Sequence, residues 1–216
     1  MNITSANLLR RRLLLGLLAG SGLSPIMRAL AAGEAMDDMH GHHHHHHGEA
    51  PEGVKRSEAS YGIPALRLLR QDGSVAEFPG EMETGRPILL NFIYTSCTAI
   101  CPLTSQVFSG VQSRLQAEHA ALDLLSISID PEYDTPTRLA AYARKFGASE
   151  HWHFYTGTQA ASIALQKAFD VYRGDKMNHA PVSFLRGAPG KPWIRLDGFA
   201  SPDQLVQEYR ALGPVA

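Results

Sequence analysis

Residues Ile88 to Tyr94 read Ile-Leu-Leu-Asn-Phe-Ile-Tyr, an apolar run with little alternation. A strand with one wet face alternates polar and apolar side chains, whereas a strand covered on both faces does not. The run therefore predicts a central strand of a sheet with helices on either side. The remaining chain supplies neighbours for it in alternation. Gln71 to Ser74 reads as a turn and Ser74 to Phe78 as a short strand. After Pro102, Leu103, Val107, Val111 and Leu115 recur every four residues, as on one face of a helix. Leu122 to Ile129 reads as a second central strand, and Asp134, Thr135 and Pro136 open a helix carrying Leu139, Tyr142 and Phe146. His151 to Tyr155 predicts a short strand, Ala160 to Phe169 a helix, and Val182–Leu185 with Trp193–Leu196 a hairpin-like pair. Ser201, Pro202 and Gln204 form a capping box with proline at the first helical position, opening a last helix through Leu212. This order predicts an α/β fold: a mixed central β-sheet flanked by helices on both faces.

The first residues do not belong to that pattern. Arg10, Arg11 and Arg12 precede an apolar run from Leu13 to Leu23, and Ala29 to Ala31 offers a small-residue cleavage site. This is the order of an export signal, and the run is too short for a comfortable membrane span. Residues 1–31 are read as a twin-arginine-like export signal, which predicts a periplasmic protein, or a membrane-anchored one if the signal is not cleaved. Residues 32–57 are polar and lack apolar periodicity, so they are read as a disordered Met/His-rich tail. It carries Met36, Met39, His40, His42, His43, His44, His45, His46 and His47. Those side chains suit an auxiliary metal-collecting role, since imidazole takes Cu(II), Ni(II) and Zn(II) and thioether takes Cu(I). An expression tag and an inert linker are the competing readings. Residues 58–216 are then the folded domain. The formal net charge of −1 gives no reason to expect nucleic acid or an anionic membrane surface as a partner.

Cys97 and Cys101 are the only cysteines, and they follow the apolar strand directly. Two cysteines are too few for a disulfide scaffold, so the core must hold by apolar burial. A strand-to-helix turn lowers thiol pKa, and the i, i+4 spacing lets both sulfurs face one side of a first helical turn. Two convergent thiolates can hold a soft metal ion or cycle as a disulfide. With the cysteines at the end of the first long strand, the element order matches a thioredoxin-like architecture. For a metal, the natural third ligand is an imidazole from His119, His151, His153 or His179. His179 is favoured because its loop precedes a strand that, in such a fold, runs beside the cysteine turn. Pro181 is the candidate for the cis-proline this fold often carries there.

Asn91 through Thr104, with the two cysteines and Pro102, resembles the signature of the Sco/SenC family of copper chaperones. Ser126 through Pro136 and Trp152 through Gly157 are similar to two further blocks of that family, and Asn178-His179 falls at its distal histidine. The likeness runs from about residue 60 to residue 212. It departs at Thr98, where many members have proline, and at Ala180, which replaces the usual Ser or Thr. The resemblance implies a thioredoxin-like domain binding one copper ion, Cu(I) and also Cu(II), through Cys97, Cys101 and His179, with Asp130 close by. Asp130 then either orients the site from outside the ligand set or caps a loop through backbone N–H groups. The resemblance also implies a copper-accepting partner such as a cytochrome c oxidase subunit, another periplasmic copper donor upstream, and delivery of copper or reduction of the client's cysteines. The alternatives are a periplasmic thiol–disulfide oxidoreductase using Cys97 and Cys101, and a His-tail metal buffer.

Overall fold

The computed structural model describes residues 53–213. The apolar run forms a strand, Ile88–Ile93, with every residue buried, and Asp123–Ser128 is buried throughout as well. Numbered in chain order, the strands are β1 (Lys55–Ala59), β2 (Leu66–Arg70), β3 (Val75–Phe78), β4 (Ile88–Ile93), β5 (Asp123–Ser128), β6 (Trp152–Thr156), β7 (Val182–Arg186) and β8 (Trp193–Asp197). They make one eight-stranded sheet in the order β1-β8-β7-β4-β5-β6-β2-β3. β4, β5 and β6 run parallel, and every other pairing is antiparallel. The helices are α1 (Ile100–Ala117), α2 (Pro136–Lys145), α3 (Gln159–Ala168) and α4 (Pro202–Ala211).

Strand alternation splits the core into two aromatic layers. On one face Trp152 and Phe154 of β6 meet Phe108 of α1 and Tyr142 of α2. α4 lies against α1, where Gly110 is close-packed on Pro202: a Cβ at Gly110 would come within 3.1 Å of the ring. On the other face Phe92 of β4 and Phe184 of β7 pack with Phe169, just past α3, and Phe169 continues the stack to Trp193. The expected mixed sheet with helices on both faces is what the residues build. The α4 capping box closes as the sequence predicts, with Ser201 Oγ accepting from Gln204 N–H and Gln204 returning a bond to the Ser201 amide.

Two expectations are corrected. β1 begins at Lys55, inside the segment read as tail to residue 57, and pairs Lys55 to Ala59 with Asp197 to Trp193 of β8. It is a largely exposed edge strand, so its side chains carry no apolar signature. The Ala180–Pro181 bond is trans; the cis X-Pro bond among the described residues is Phe78–Pro79. The trans bond runs the chain straight into β7, and the Pro181 carbonyl accepts from Gly198 N–H at 2.9 Å, extending the β7–β8 pairing. The signal at 1–31 and the His-rich part of the tail lie outside the described residues. Among the described residues no helix is long and apolar enough to cross a membrane.

Candidate metal centre

β4 and β5 end level, Ile93 opposite Ser128, and the chain leaving β4 turns into α1. Cys97 N–H closes the turn on the Tyr94 carbonyl at 3.2 Å, and Tyr94 N–H donates to Cys101 Sγ at 3.4 Å. The two sulfurs converge through this turn. Cys97 precedes the helix and Cys101 lies within its first turn, so the expected i, i+4 pair on one helical face is corrected to a turn-plus-helix pair. α1 has no side-chain cap of the usual kind on Ala99. Instead Cys97 Sγ accepts from the Cys101 N–H at 3.5 Å, so sulfur serves one of the orphan donors of the helix N-terminus.

This geometry makes the thiols unequal. Burial pushes the Cys97 thiol up, but the N–H groups of Cys101 and Ala99, the Tyr94 hydroxyl and the Cys101 thiol outweigh it, and the net direction is down. Cys101 is fully buried, and burial drives its thiol well above the ordinary range. Burial likewise raises the Tyr94 phenol to about 12, with Cys97 adding to the shift. Native protein is therefore expected to alkylate at Cys97 first. With iodoacetamide near neutral pH, peptide mass spectrometry should show Cys97 reacting about a hundredfold faster than Cys101, and both reacting alike in denaturant. The Cys97 rate should also reach its plateau below the pH of an unperturbed thiol. Equal native rates would contradict this geometry.

A buried carboxylate anchors the turn. Asp134 is fully buried, accepts Thr95 N–H at 3.1 and 3.2 Å, and also bonds the Thr95 hydroxyl and, at 2.6 Å, the Ser128 hydroxyl. It ties the segment leaving β4 to the end of β5. The sequence reading used Asp134 to open α2, but Thr135 is the N-cap, accepting from Arg138 N–H. The buried polar role was missed; its one visible signal was the Asp130–Pro136 block.

His179 lies in the loop before β7, 7% exposed. Its Nε2 is 2.9 Å from the Phe92 carbonyl. A carbonyl only accepts, so Nε2 carries the proton and Nδ1 keeps its lone pair. Burial holds this imidazole below its usual range, against the upward pull of the Phe92 carbonyl, which keeps the ring neutral and able to ligate. The ring sits edge-on to Tyr94, centroids 6.5 Å apart. It borders a cavity of about 460 Å³ with Asp130, Arg173 and Lys176, so it is not packed on every side. The structure thus brings the two cysteines together and sets His179 against the strand that leads to them, bonded to that strand. Among the described residues no three His, Cys, Asp or Glu side chains are grouped to hold a metal ion.

Of the two readings of Asp130, the loop cap is corrected. Its carboxylate pairs with Lys176 Nζ at 2.6 Å and caps no backbone N–H, so it fastens the His179 loop to the end of β5. The other histidines are elsewhere. His119 is exposed where α1 ends; His151, with Nδ1 3.5 Å from Asp123, and His153 lie at the entry to β6. Parallel strands put that entry at the opposite end of the sheet from the cysteine turn.

The comparisons with known proteins agree with this architecture. A family model described as SCO1/SenC matches residues 57–212. The SCO1 protein homolog of Bacillus subtilis is 29% identical over 140 residues, 61% of this chain and 72% of that one. Among solved structures, BsSco, described with a disulfide switch and as a member of the Sco family of cytochrome c oxidase assembly proteins, is 27% identical with a TM-score of 0.61, covering 72% of this chain and 95% of that one. Yeast Sco1 with copper bound shares the fold at 19% identity and a TM-score of 0.59, over 71% of this chain and 87% of that one.

Proposed function

The chain belongs to the SCO1/SenC family, and from that premise we propose that it is a copper chaperone whose cargo is one copper ion, held as Cu(I) by Cys97, Cys101 and His179. One observation carries the reading most directly: a depressed thiol and a buried thiol share the N-terminus of α1, and a neutral imidazole is bonded through Nε2 to the strand that leads to them. Thiolates and imidazole are the donors Cu(I) favours. Reduced Cys97 and Cys101 bind first. His179 completes the set through Nδ1 while Nε2–H stays on the Phe92 carbonyl, an outer hydrogen bond that fixes the tautomer. Asp130 and Lys176 hold the loop in place. Cu(II) binds with an added oxygen ligand. The ion leaves by ligand exchange when a partner presents its own thiolates and imidazoles, and a Cys97–Cys101 disulfide switches binding off. The client is a copper-accepting protein of the cytochrome c oxidase assembly route, and the export signal read at residues 1–31 puts the encounter in the periplasm.

A second reading, a thiol–disulfide oxidoreductase, is favoured by the inequality of the thiols, which suits an attacking Cys97 and a resolving Cys101. One experiment separates the two. The reduced full chain is titrated with Cu(I) against a competing Cu(I) chelator strong enough to strip a histidine tract, and the same sample is assayed for insulin reduction. The chaperone reading expects one chelator-resistant copper and poor insulin reduction. It expects His179→Ala to weaken copper by at least the roughly tenfold that outer-sphere changes cost. Efficient insulin reduction without resistant copper would overturn it in favour of the oxidoreductase.

A further inference from the structure

Among the described residues six large apolar side chains are exposed, and four of them, Leu103, Tyr133, Met177 and Phe199, stand at one end of the sheet. The strand directions place them there. β4 and β5 run parallel, β7 runs against β4, and β8 against β7. The end at which β4 and β5 leave the sheet is therefore the end at which β7 enters and β8 leaves. Tyr133 follows β5, Met177 precedes β7, Phe199 lies just past β8, and Leu103 is in the first turn of α1, two residues after Cys101. The other two, Leu69 and Val75, face each other across β2 and β3 at the far edge of the sheet. Single exposed apolar residues need no explanation; a gathering at the end that holds the site does. Contacts tie three of the four to that site. The Tyr94 hydroxyl approaches Met177 Sδ at 3.8 Å. Tyr133 adjoins Asp134, whose carboxylate holds Thr95 N–H at 3.1 Å. Gly198 N–H, beside Phe199, bonds the Pro181 carbonyl of the His179 loop at 2.9 Å. The nearby cations are already engaged within the chain. Lys176 is on Asp130 at 2.6 Å, Arg173 is on the carbonyls of Asp170 and Tyr172, and Arg138 lies 3.8 Å over the Tyr133 ring while donating to the Tyr133 carbonyl.

Resting on the copper reading above, we propose that Leu103, Tyr133, Met177 and Phe199 form the docking surface for the copper-accepting protein, and that this partner carries an apolar or aromatic rim around its own thiolate and imidazole donors. The ligand set stays Cys97, Cys101 and His179. Copper leaves by ligand exchange, so the partner's donors must come within bonding range of Cys97, the more exposed sulfur. A protein that brings them there covers this end of the sheet. Aromatic residues and methionine are the side chains that interface cores favour. With the cations engaged internally, apolar burial rather than charge steering holds the two proteins together.

The test uses the full chain loaded with one equivalent of Cu(I) and, as acceptor, the apo copper-binding domain of a cytochrome c oxidase subunit. The transfer rate is read from the copper found on each protein after timed separation. Leu103→Ser combined with Phe199→Ser is expected to lower the second-order rate about tenfold or more. Cu(I) affinity in chelator competition should stay at the wild-type value, because neither residue is a ligand. Val75→Ser, at the far edge, should change neither quantity. Between about 0.05 M and about 0.5 M salt the wild-type rate should move by less than about threefold, whereas charge-steered association falls steeply over that range. A double variant that transfers copper at the wild-type rate, or a steep loss of rate with salt, would overturn the docking surface and leave the copper reading standing. A wild-type chain that holds copper tightly but passes none to this acceptor overturns the client assignment and the docking surface argued for it. If the wild-type chain keeps no chelator-resistant copper, the copper reading itself falls, and the docking surface with it.

Discussion

Replacing Cys101 with alanine is expected to lower Cu(I) affinity by about a hundredfold or more. A metal-binding free energy on the order of 10 kcal/mol shared among three ligands leaves about 3 kcal/mol for each, or roughly a hundredfold. Cys101 contributes more than an even share because it is pre-positioned: its sulfur is fully buried and already accepts Tyr94 N–H. Burial that keeps the free thiol protonated also means that the metal must displace its proton. The same substitution removes a core sulfur, so thermal unfolding must be followed in parallel. Cys97→Ala serves as the partner variant, since Cys97 is only partly buried and its loss leaves the core intact. Chelator competition on both variants measures the effect. Retention of wild-type affinity by both would remove the cysteine pair from the site.

Asp134→Ala is expected to be the most destabilising single change near the site. It leaves the Thr95 N–H, the Thr95 hydroxyl and the Ser128 hydroxyl without their acceptor. Buried donors left unmade cost about 1–3 kcal/mol each, so a total of about 3 kcal/mol or more follows. In a domain of this size that lowers Tm by roughly 6–12 °C. Asp134→Asn keeps an acceptor for Thr95 and can donate to Ser128, so its cost is about 1–2 kcal/mol. The pH dependence carries a sign. Burial holds the Asp134 acid above the usual carboxylate range, against the bonds from Ser128 and Thr95. The folded state therefore binds this proton more tightly than the unfolded chain. That contribution is complete below the ordinary aspartate value and is lost as pH rises through the folded one. The gap in Tm between wild type and Asp134→Asn should be widest in acid and narrow as pH rises. Calorimetry across that range checks both, and an Asp134→Ala protein with unchanged Tm would refute the anchoring role.

The elements that carry local signals were legible in the sequence. β4 announced itself because burial on both faces removes alternation, α4 because its capping box is contiguous, and the cysteine turn because it joins strand to helix. What escaped depends on partners distant in the chain. β1 is polar, and its place is dictated by the backbone of β8. β2 was not foreseen; its Leu66–Arg70 run mixes apolar and basic residues, and its position comes from pairing with β3 and β6. At the site, the cysteines and His179 were visible as residue types. That His179 donates to Phe92, that Asp130 grips Lys176, and that the Tyr94 hydroxyl reaches Met177 are contacts across 87, 46 and 83 residues, which no local pattern encodes.

The unequal depth of the two thiols fixes an order of events. Anything arriving from outside meets residue 97 first, and residue 101 is reached only through what its neighbour has already bound. On the copper reading, departure along the same path runs in reverse, so the recessed sulfur lets go first and residue 97 last. A recipient would then meet its last competing bond at the outer sulfur, where its own donors have direct access.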